Sequence, residues 1–382
     1  MTYTIHGINF NETRPGYQAG VVQFPVTTDR AGYGQVQVPI YVFTGEEHGP
    51  TALLISGVHG DEYEGQIVLR KMIADMDSDY IKAGRIIIIP SLNMPACLAG
   101  TRTSPLDGLD LNRVCPGNPI GSITQRIAHF LCDLAVVKTQ VTYCLDIHSG
   151  GKSLKFAPHV AYHMNESELH WLEGEQTLNQ TAARRMDFAL SFTPMPYIVN
   201  AQEHNPHGTL DHMMETAGKV FCYMELPGGE PSNLNIQQAL GSIEVALHRK
   251  GILKHKTDRG QHFERLTHQS DDREQLHLKN SMILSHCLPY TGLLELRVQP
   301  GDIVHSKGME LGDIHTILNL SSVARGNLPS GSNVPYIQPS CKVYGPMSYS
   351  DNHKSYVVLA THNGGPIQPG DTIAVLAEID AQ

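Results

Sequence analysis

Two short segments hold residue types that can bind a metal ion together. In Gly57-Val58-His59-Gly60-Asp61-Glu62, a histidine and a glutamate stand three apart, just after an apolar run that ends at Ser56. An imidazole nitrogen and a carboxylate oxygen at that spacing can take two corners of a tetrahedral zinc site. HxxE alone also describes an ordinary loop histidine ahead of a helix. The segment Asp146-Ile147-His148-Ser149-Gly150-Gly151 closes a second apolar run, beginning at Tyr143. If the two runs are parallel strands, His148 emerges at the same carboxyl edge as His59, where open α/β sheets bind ligands. Two histidines and one glutamate, with a fourth position left to water, form the catalytic rather than the structural zinc pattern. Asp146 lies two residues earlier on the same strand face. It either orients His148 from behind, as metal sites usually require, or caps the strand end.

Two further segments carry polar groups suited to work beside such an ion. The loop from Gly100 to Arg113 contains Arg102, Asn112 and Arg113. Guanidinium and amide groups gathered in one loop suit a carboxylate or a polarised carbonyl, or else pair with Asp107 and Asp110. Glu225 ends an apolar run and is followed by Leu226-Pro227-Gly228-Gly229. A carboxylate there is costly unless it has a partner or a task. Next to a water activated by a metal it can act as general base; bonded to the glycine N–H groups it is structural. The absence of a GxSxG elbow argues against a serine hydrolase.

The surrounding pattern specifies the elements that position these groups. Val21 to Phe43 alternates apolar and polar residues and reads as antiparallel strands. Ala52–Ser56, Arg85–Ile89, Tyr143–Ile147 and Val220–Leu226 read as strands. Leu69, Met72, Ile73 and Met76 recur at helical spacing, and Ile123–Val137 reads as a second helix. Alternating strands and helices imply an α/β fold, a sheet with helices on both faces. Thr209 is a plausible N-cap for a further helix, with His204 and His207 just ahead of it. Glu166 to Glu175, with Trp171, reads as an exposed helix. Lys254 to Lys279 is polar, with little β signal, and reads as a linker or surface excursion. Beyond it, Gln299-Pro300-Gly301-Asp302 recurs as Gln368-Pro369-Gly370-Asp371, each ahead of a short apolar strand. The expected organisation is a catalytic domain over 1–265 and a small all-β, barrel-like module over 280–382.

Composition limits the partners. The net charge of −10 argues against a general binder of nucleic acid or anionic membrane. No apolar run is long enough to cross a bilayer, and there is no basic start followed by an apolar stretch, so no signal peptide is expected. Seven scattered cysteines without CxxC spacing fit a reduced, cytoplasmic protein.

The ordered motifs HxxE, DLNR, DIHSGG and strand-end Glu225 resemble those of the succinylglutamate desuccinylase/aspartoacylase family, relatives of the zinc carboxypeptidases, over about residues 50–230. GVHGDEYEG, AGTRTSP and DIHSGGKSL are most similar to the members that deacetylate N-alpha-acetyl-diaminobutyrate. The resemblance implies a zinc-carboxypeptidase-like mixed sheet and one Zn²⁺ per chain, held by His59, Glu62 and His148. It implies Glu225 as general base and later acid, Arg102 as the group that polarises the scissile carbonyl, and Asn112 and Arg113 as binders of a substrate carboxylate. The implied activity is hydrolysis of a small N-acyl amino acid; the alternative is a zinc carboxypeptidase acting on peptides. A homo-oligomer is compatible with the C-terminal module. The chain departs from the family at Cys115, where an aromatic residue is usual, and at Pro227, where close deacetylases run directly into glycines.

Overall fold

The computed structural model describes residues 2–28, 31–163, 180–192, 195, 197–201, 207–255, 258–262, 276–285, 290–300, 303–305, 310–319, 341–344, 355–363, 365–367 and 372–379. The alternating N-terminal stretch forms β1 (Thr4–His6), β2 (Gly16–Thr28) and β3 (Ala31–Thr44). β2 and β3 are a long antiparallel pair with Val22 opposite Val38. Their period-2 apolar residues, Val22, Phe24, Val38, Ile40 and Val42, all lie buried on one side.

The βα series follows. β4 (Glu47–Ser56) leads into α1 (Tyr63–Asp75), then β5 (Ala83–Ile89) and α2 (Met94–Ala99). α3 (Ile123–Cys132) continues into a wider π-helical turn over Asp133–Lys138, so the helix expected from Ile123 ends at about the expected place. Next come β6 (Tyr143–Ser149), β7 (Leu154–Phe156), β8 (His159–His163), α4 (Gln180–Ala189), β9 (Tyr197–Ala201), α5 (Leu210–Thr216), β10 (Val220–Leu226) and α6 (Asn233–Arg249). β4 lies between β5 and β6, and β6 pairs with β10, all in parallel register. β8 joins antiparallel to β10. The expected mixed sheet is therefore present.

Each central strand is apolar on both faces because helices cover both. Leu54, Leu145, Ile147 and Met224 pack with residues of α1 and α6 on one side. Leu53, Ile55, Cys144 and Phe221 pack with residues of α3 and α5 on the other. Each large side chain withdrawn from water in this way contributes roughly 1.5–3 kcal/mol.

From Leu276 on, the described elements are strands: β11 (Leu276–Ser285), β12 (Tyr290–Leu296), β13 (Ile303–His305), β14 (Glu310–Asn319), β15 (Cys341–Tyr344), β16 (Ser355–His362), β17 (Gly365–Ile367) and β18 (Thr372–Ile379). β11 starts inside the stretch read as a polar linker. Leu276 and Leu278 alternate with His277 and Lys279, and pairing with β9 and β18 supplies the ladder that this weak pattern does not announce. β18, β16 and β13 extend the main sheet, while β15, β14, β12 and β17 form a second one. Among the described residues, no helix is long and apolar enough to cross a membrane. Trp171, the 166–175 segment and His204 lie outside the described residues.

Candidate active site

The strand order brings the motifs together. Ser56 at the end of β4 lies opposite Ile147 on β6, and His148 lies opposite Glu225 on β10, so three strand ends meet at one edge of the sheet. The turn after β4 bends at Gly57 (φ +68°) and delivers His59, with Glu62 at the position preceding α1. That turn is pressed against α2. A Cβ on Gly60 would lie 2.0 Å from the Ala96 carbonyl carbon, so no larger residue fits without moving the helix.

His59, Glu62 and His148 converge. Their ligand atoms lie within 4.8 Å of one another, and all three residues are buried. His59 Nδ1 is 2.7 Å from Glu62 Oε1, and His148 Nδ1 is 2.8 Å from Glu62 Oε2. The outer nitrogens face carboxylates: His59 Nε2 lies 3.2 Å from Asp110 Oδ1, and His148 Nε2 lies 2.8 Å from Asp146 Oδ2. The donor chemistry fits Zn²⁺. Both imidazoles offer the same nitrogen inward, and a carboxylate behind each ring fixes its tautomer and orientation. A dication would also compensate Glu62, Asp110 and Asp146, three acidic groups beside which Arg102 supplies a single permanent positive charge. In the protein alone the two histidines carry that burden. Burial opposes charge on His148, but Asp146 and Glu62 outweigh it and hold its pKa well above the ordinary value. Burial likewise pushes the Glu62 carboxyl up, and His59 and His148 more than offset it, leaving it below the carboxylate range.

Glu225 stands beside this cluster with an opposite bias. Burial, against the attraction of His148 and with repulsion from Glu62, raises its pKa to about 8. Its Oε2 is enclosed and has no hydrogen-bond partner among the described residues. A carboxyl group so placed takes and gives up a proton near neutral pH.

The loop residues are less uniformly committed. Arg102 is half exposed; its Nε and Nη2 each lie 3.1 Å from Asp110 Oδ2, and Nη1 is 3.8 Å from Glu62 Oε1. Arg102 therefore touches the cluster both through Asp110 and directly, with Nη1 3.4 Å from His59 Nδ1. Asn112 Oδ1 accepts the Leu210 N–H (2.8 Å), so its carbonyl end holds the start of α5. Arg113 is exposed; its Nη1 donates to the Asn112 carbonyl (2.7 Å), and it has no ion pair among the described residues.

Three contributors escaped the sequence reading. Asp110, read there only as an acidic neighbour, bridges His59 and Arg102 and accepts the Asn112 N–H (2.9 Å). An aspartate one residue ahead of a short helical turn was the available signal. Buried Glu64, on α1, accepts the Gly228 N–H at 2.6 Å and ties the loop after Glu225 to the helix after Glu62. A Cβ on Gly228 would come within 2.6 Å of Gly150 Cα, so this loop and the turn after His148 pack backbone to backbone. No local pattern announces a contact across 164 positions. His159, at the start of β8, lies directly opposite Glu225. Nearby, Lys152 donates to the Gly100 carbonyl (2.6 Å), and His207, ahead of α5, is exposed and packs its ring edge-on against His212. Cys115 is buried, and the Pro227 carbonyl accepts the Phe156 N–H (2.9 Å).

A family model described as the succinylglutamate desuccinylase/aspartoacylase catalytic domain matches residues 48–249. The N-alpha-acetyl-L-2,4-diaminobutyric acid deacetylase of Halomonas elongata is 33% identical over 370 residues, covering 95% of this chain and 92% of that protein. A product-bound structure of the ectoine utilization protein EutE (DoeB) from Ruegeria pomeroyi superposes with a TM-score of 0.77 at 28% identity, covering 98% of each chain. A succinylglutamate desuccinylase/aspartoacylase from Rhodobacter sphaeroides superposes with a TM-score of 0.75 at 26% identity, covering 99% of this chain and all of that one (100%).

Proposed function

Since the chain belongs to the succinylglutamate desuccinylase/aspartoacylase family, we propose that it hydrolyses the amide bond of a small N-acyl amino acid, with one Zn²⁺ per chain and Glu225 as general base. The observation that carries this reading is the convergence of His59 Nδ1, Glu62 and His148 Nδ1, each imidazole backed by a carboxylate, beside a glutamate whose pKa lies near 8.

His59, Glu62 and His148 would hold the ion, and Asp110 and Asp146 would keep the two imidazoles turned toward it. When bound, zinc supplies Lewis acidity, lowering the pKa of a water from 15.7 toward roughly 7 and polarising the scissile carbonyl. Glu225 takes the proton of the attacking water on its carboxylate. It returns that proton to the departing amine nitrogen as the C–N bond breaks, which leaves a free carboxylic acid and an amino acid. Arg102, swung from Asp110, donates N–H groups to the carbonyl oxygen as negative charge gathers there. Arg113 meets the substrate carboxylate, with Asn112 turning its amide N–H groups to the same anion while its oxygen stays on α5. We further propose that 1–265 forms the catalytic unit and 280–382 a β-rich second unit, and that the protein works in the cytoplasm.

The test is a hydrolysis screen of zinc-loaded protein against acetyl, succinyl and formyl amino acids, acetyl-diaminobutyrate included, with C-terminally free peptides as the contrasting set. Turnover of the acyl amino acids supports the reading. Turnover of the peptides alone replaces it with a carboxypeptidase.

A further inference from the structure

The edge of the sheet that carries the metal corner continues past Glu225. β10 has His148 opposite Glu225 on one flank and His159 opposite it on the other. Ile147, Met224 and Val160, the neighbours of these three residues, all pack into the core on one face. His148, Glu225 and His159 therefore share the opposite face, in a row. Strands lie about 4.8 Å apart, so His159 stands one strand spacing beyond the general base and about 10 Å from His148.

His159 is buried (4% exposed), yet only half of its ring is engaged. Nδ1 lies 2.8 Å from the Ala157 carbonyl oxygen. A carbonyl can only accept, so Nδ1 carries the proton and Nε2 presents a lone pair. Nε2 has no hydrogen bond among the described residues, and the Phe156 ring packs at 5.8 Å. Burial drives the His159 pKa down to about 4, so the ring stays neutral at physiological pH. Nε2 is not one of the fully enclosed unpaired atoms, so a ligand that brings a donor can reach it.

We infer that His159 is a specificity-determining residue whose Nε2 accepts a hydrogen bond from a cationic, donor-bearing side chain on the amino-acid half of the substrate. This rests on the deacylase reading given above. Glu225 delivers its proton to the departing amine, so the amino-acid half lies at Glu225, and the group that extends along the edge meets His159 next. An ammonium there satisfies the lone pair. A carboxylate would face it and be repelled, and an alkyl chain would leave it unpaired. Sites built to bond a polar substrate group discriminate against analogues that lack it.

The experiment uses zinc-loaded full-length protein and three substrates that differ only in side chain: N-acetyl-2,4-diaminobutyrate, N-acetylnorvaline and N-acetylaspartate. Wild type is expected to favour the first by at least 10-fold in kcat/KM, mainly through KM. His159→Leu is expected to lose about 10- to 100-fold on that substrate alone and to stay within 3-fold on acetylnorvaline, with zinc content unchanged. His159→Gln, which keeps an acceptor oxygen, should recover part of the preference. An unchanged ratio in His159→Leu, or an equal loss on all three substrates, overturns the assignment. Inhibition of wild type by the free amino acids checks it without any variant: diaminobutyrate must inhibit at least 10-fold better than norvaline and aspartate, and equal inhibition overturns it. If wild type hydrolyses none of the three and none of the succinyl or formyl amino acids, the deacylase reading falls and this inference with it; if it hydrolyses only succinyl or formyl amino acids with acidic or alkyl side chains, this inference alone falls. Hydrolysis without the ratio change removes this inference alone.

Discussion

His148 and His159 sit on the same face of the same sheet edge, two strands apart, and both are buried. Burial acts on both rings in the same direction, against the charged form. At His148 two carboxylates within 2.8 Å reverse it. At His159 the partner is one backbone carbonyl, and the depression stands. One end of the row holds its own imidazole protonated and the other keeps its imidazole neutral. Glu225 lies between them, where a proton can be held or released. The lesson is that a histidine's chemistry at a strand end is set by what faces its two nitrogens, not by burial or strand position.

The largest break in this comparison comes from its metal end. His148→Ala is expected to lose zinc and to reduce turnover to background; stoichiometric metal by elemental analysis in that variant would falsify its place in the ligand set. Glu225→Gln should retain zinc and lose about 10²- to 10⁴-fold in kcat, the usual contribution of a positioned acid–base group. A kcat close to wild type would remove Glu225 from the proton transfers. Arg102→Leu should cost about 10²- to 10³-fold in kcat, as loss of one preorganised oxyanion donor does, again with metal in place. Asp146→Asn should weaken zinc binding by about 10- to 100-fold while leaving the fold intact, because Asp146 would act on the ion only through its bond to His148. Chelator competition measures that change, and an unaltered affinity would mean the carboxylate merely ends the strand.

The smallest effect is on stability, at the other end of the row. The folded pKa of His159 is about 4, below the ordinary 6.5. Between those values the unfolded chain binds a proton that the folded one refuses. This contribution is thus intact above pH 6.5 and is lost as pH falls toward 4, by about 3 kcal/mol over the full window. Urea unfolding of wild type and His159→Gln at pH 7 and pH 5 checks it. The variant should lose less stability on acidification, and equal losses would show that His159 does not contribute to the acid sensitivity.

Much of the site was legible because its residues sit at, or in the turn just after, the ends of strongly patterned strands. Ala52–Ser56, Tyr143–Ile147 and Val220–Leu226 are apolar runs in an alternating series, and such runs pair in parallel beneath helices. That places His59, Glu62, His148 and Glu225 at one edge before any coordinates are known. The loop residues were less legible. Arg102, Asn112 and Arg113 could be picked out by type, but not the bonds that occupy them: Asn112 to the start of α5, Arg102 to Asp110. β11 was missed at its start because Leu276-His277-Leu278-Lys279 carries too short an alternation to outweigh its polar surroundings.

The sequence by itself determined which groups would converge at this sheet edge, because motif spacing and strand-end position are local properties that the chain carries with it. Tertiary structure alone decided what stands behind and beside them. Asp110 behind His59, Glu64 under Gly228 and His159 across from Glu225 depend on loop docking and on the antiparallel register of β8 against β10. Register is fixed by which faces are buried once neighbouring strands and helices have assembled, and no window of the sequence contains that information.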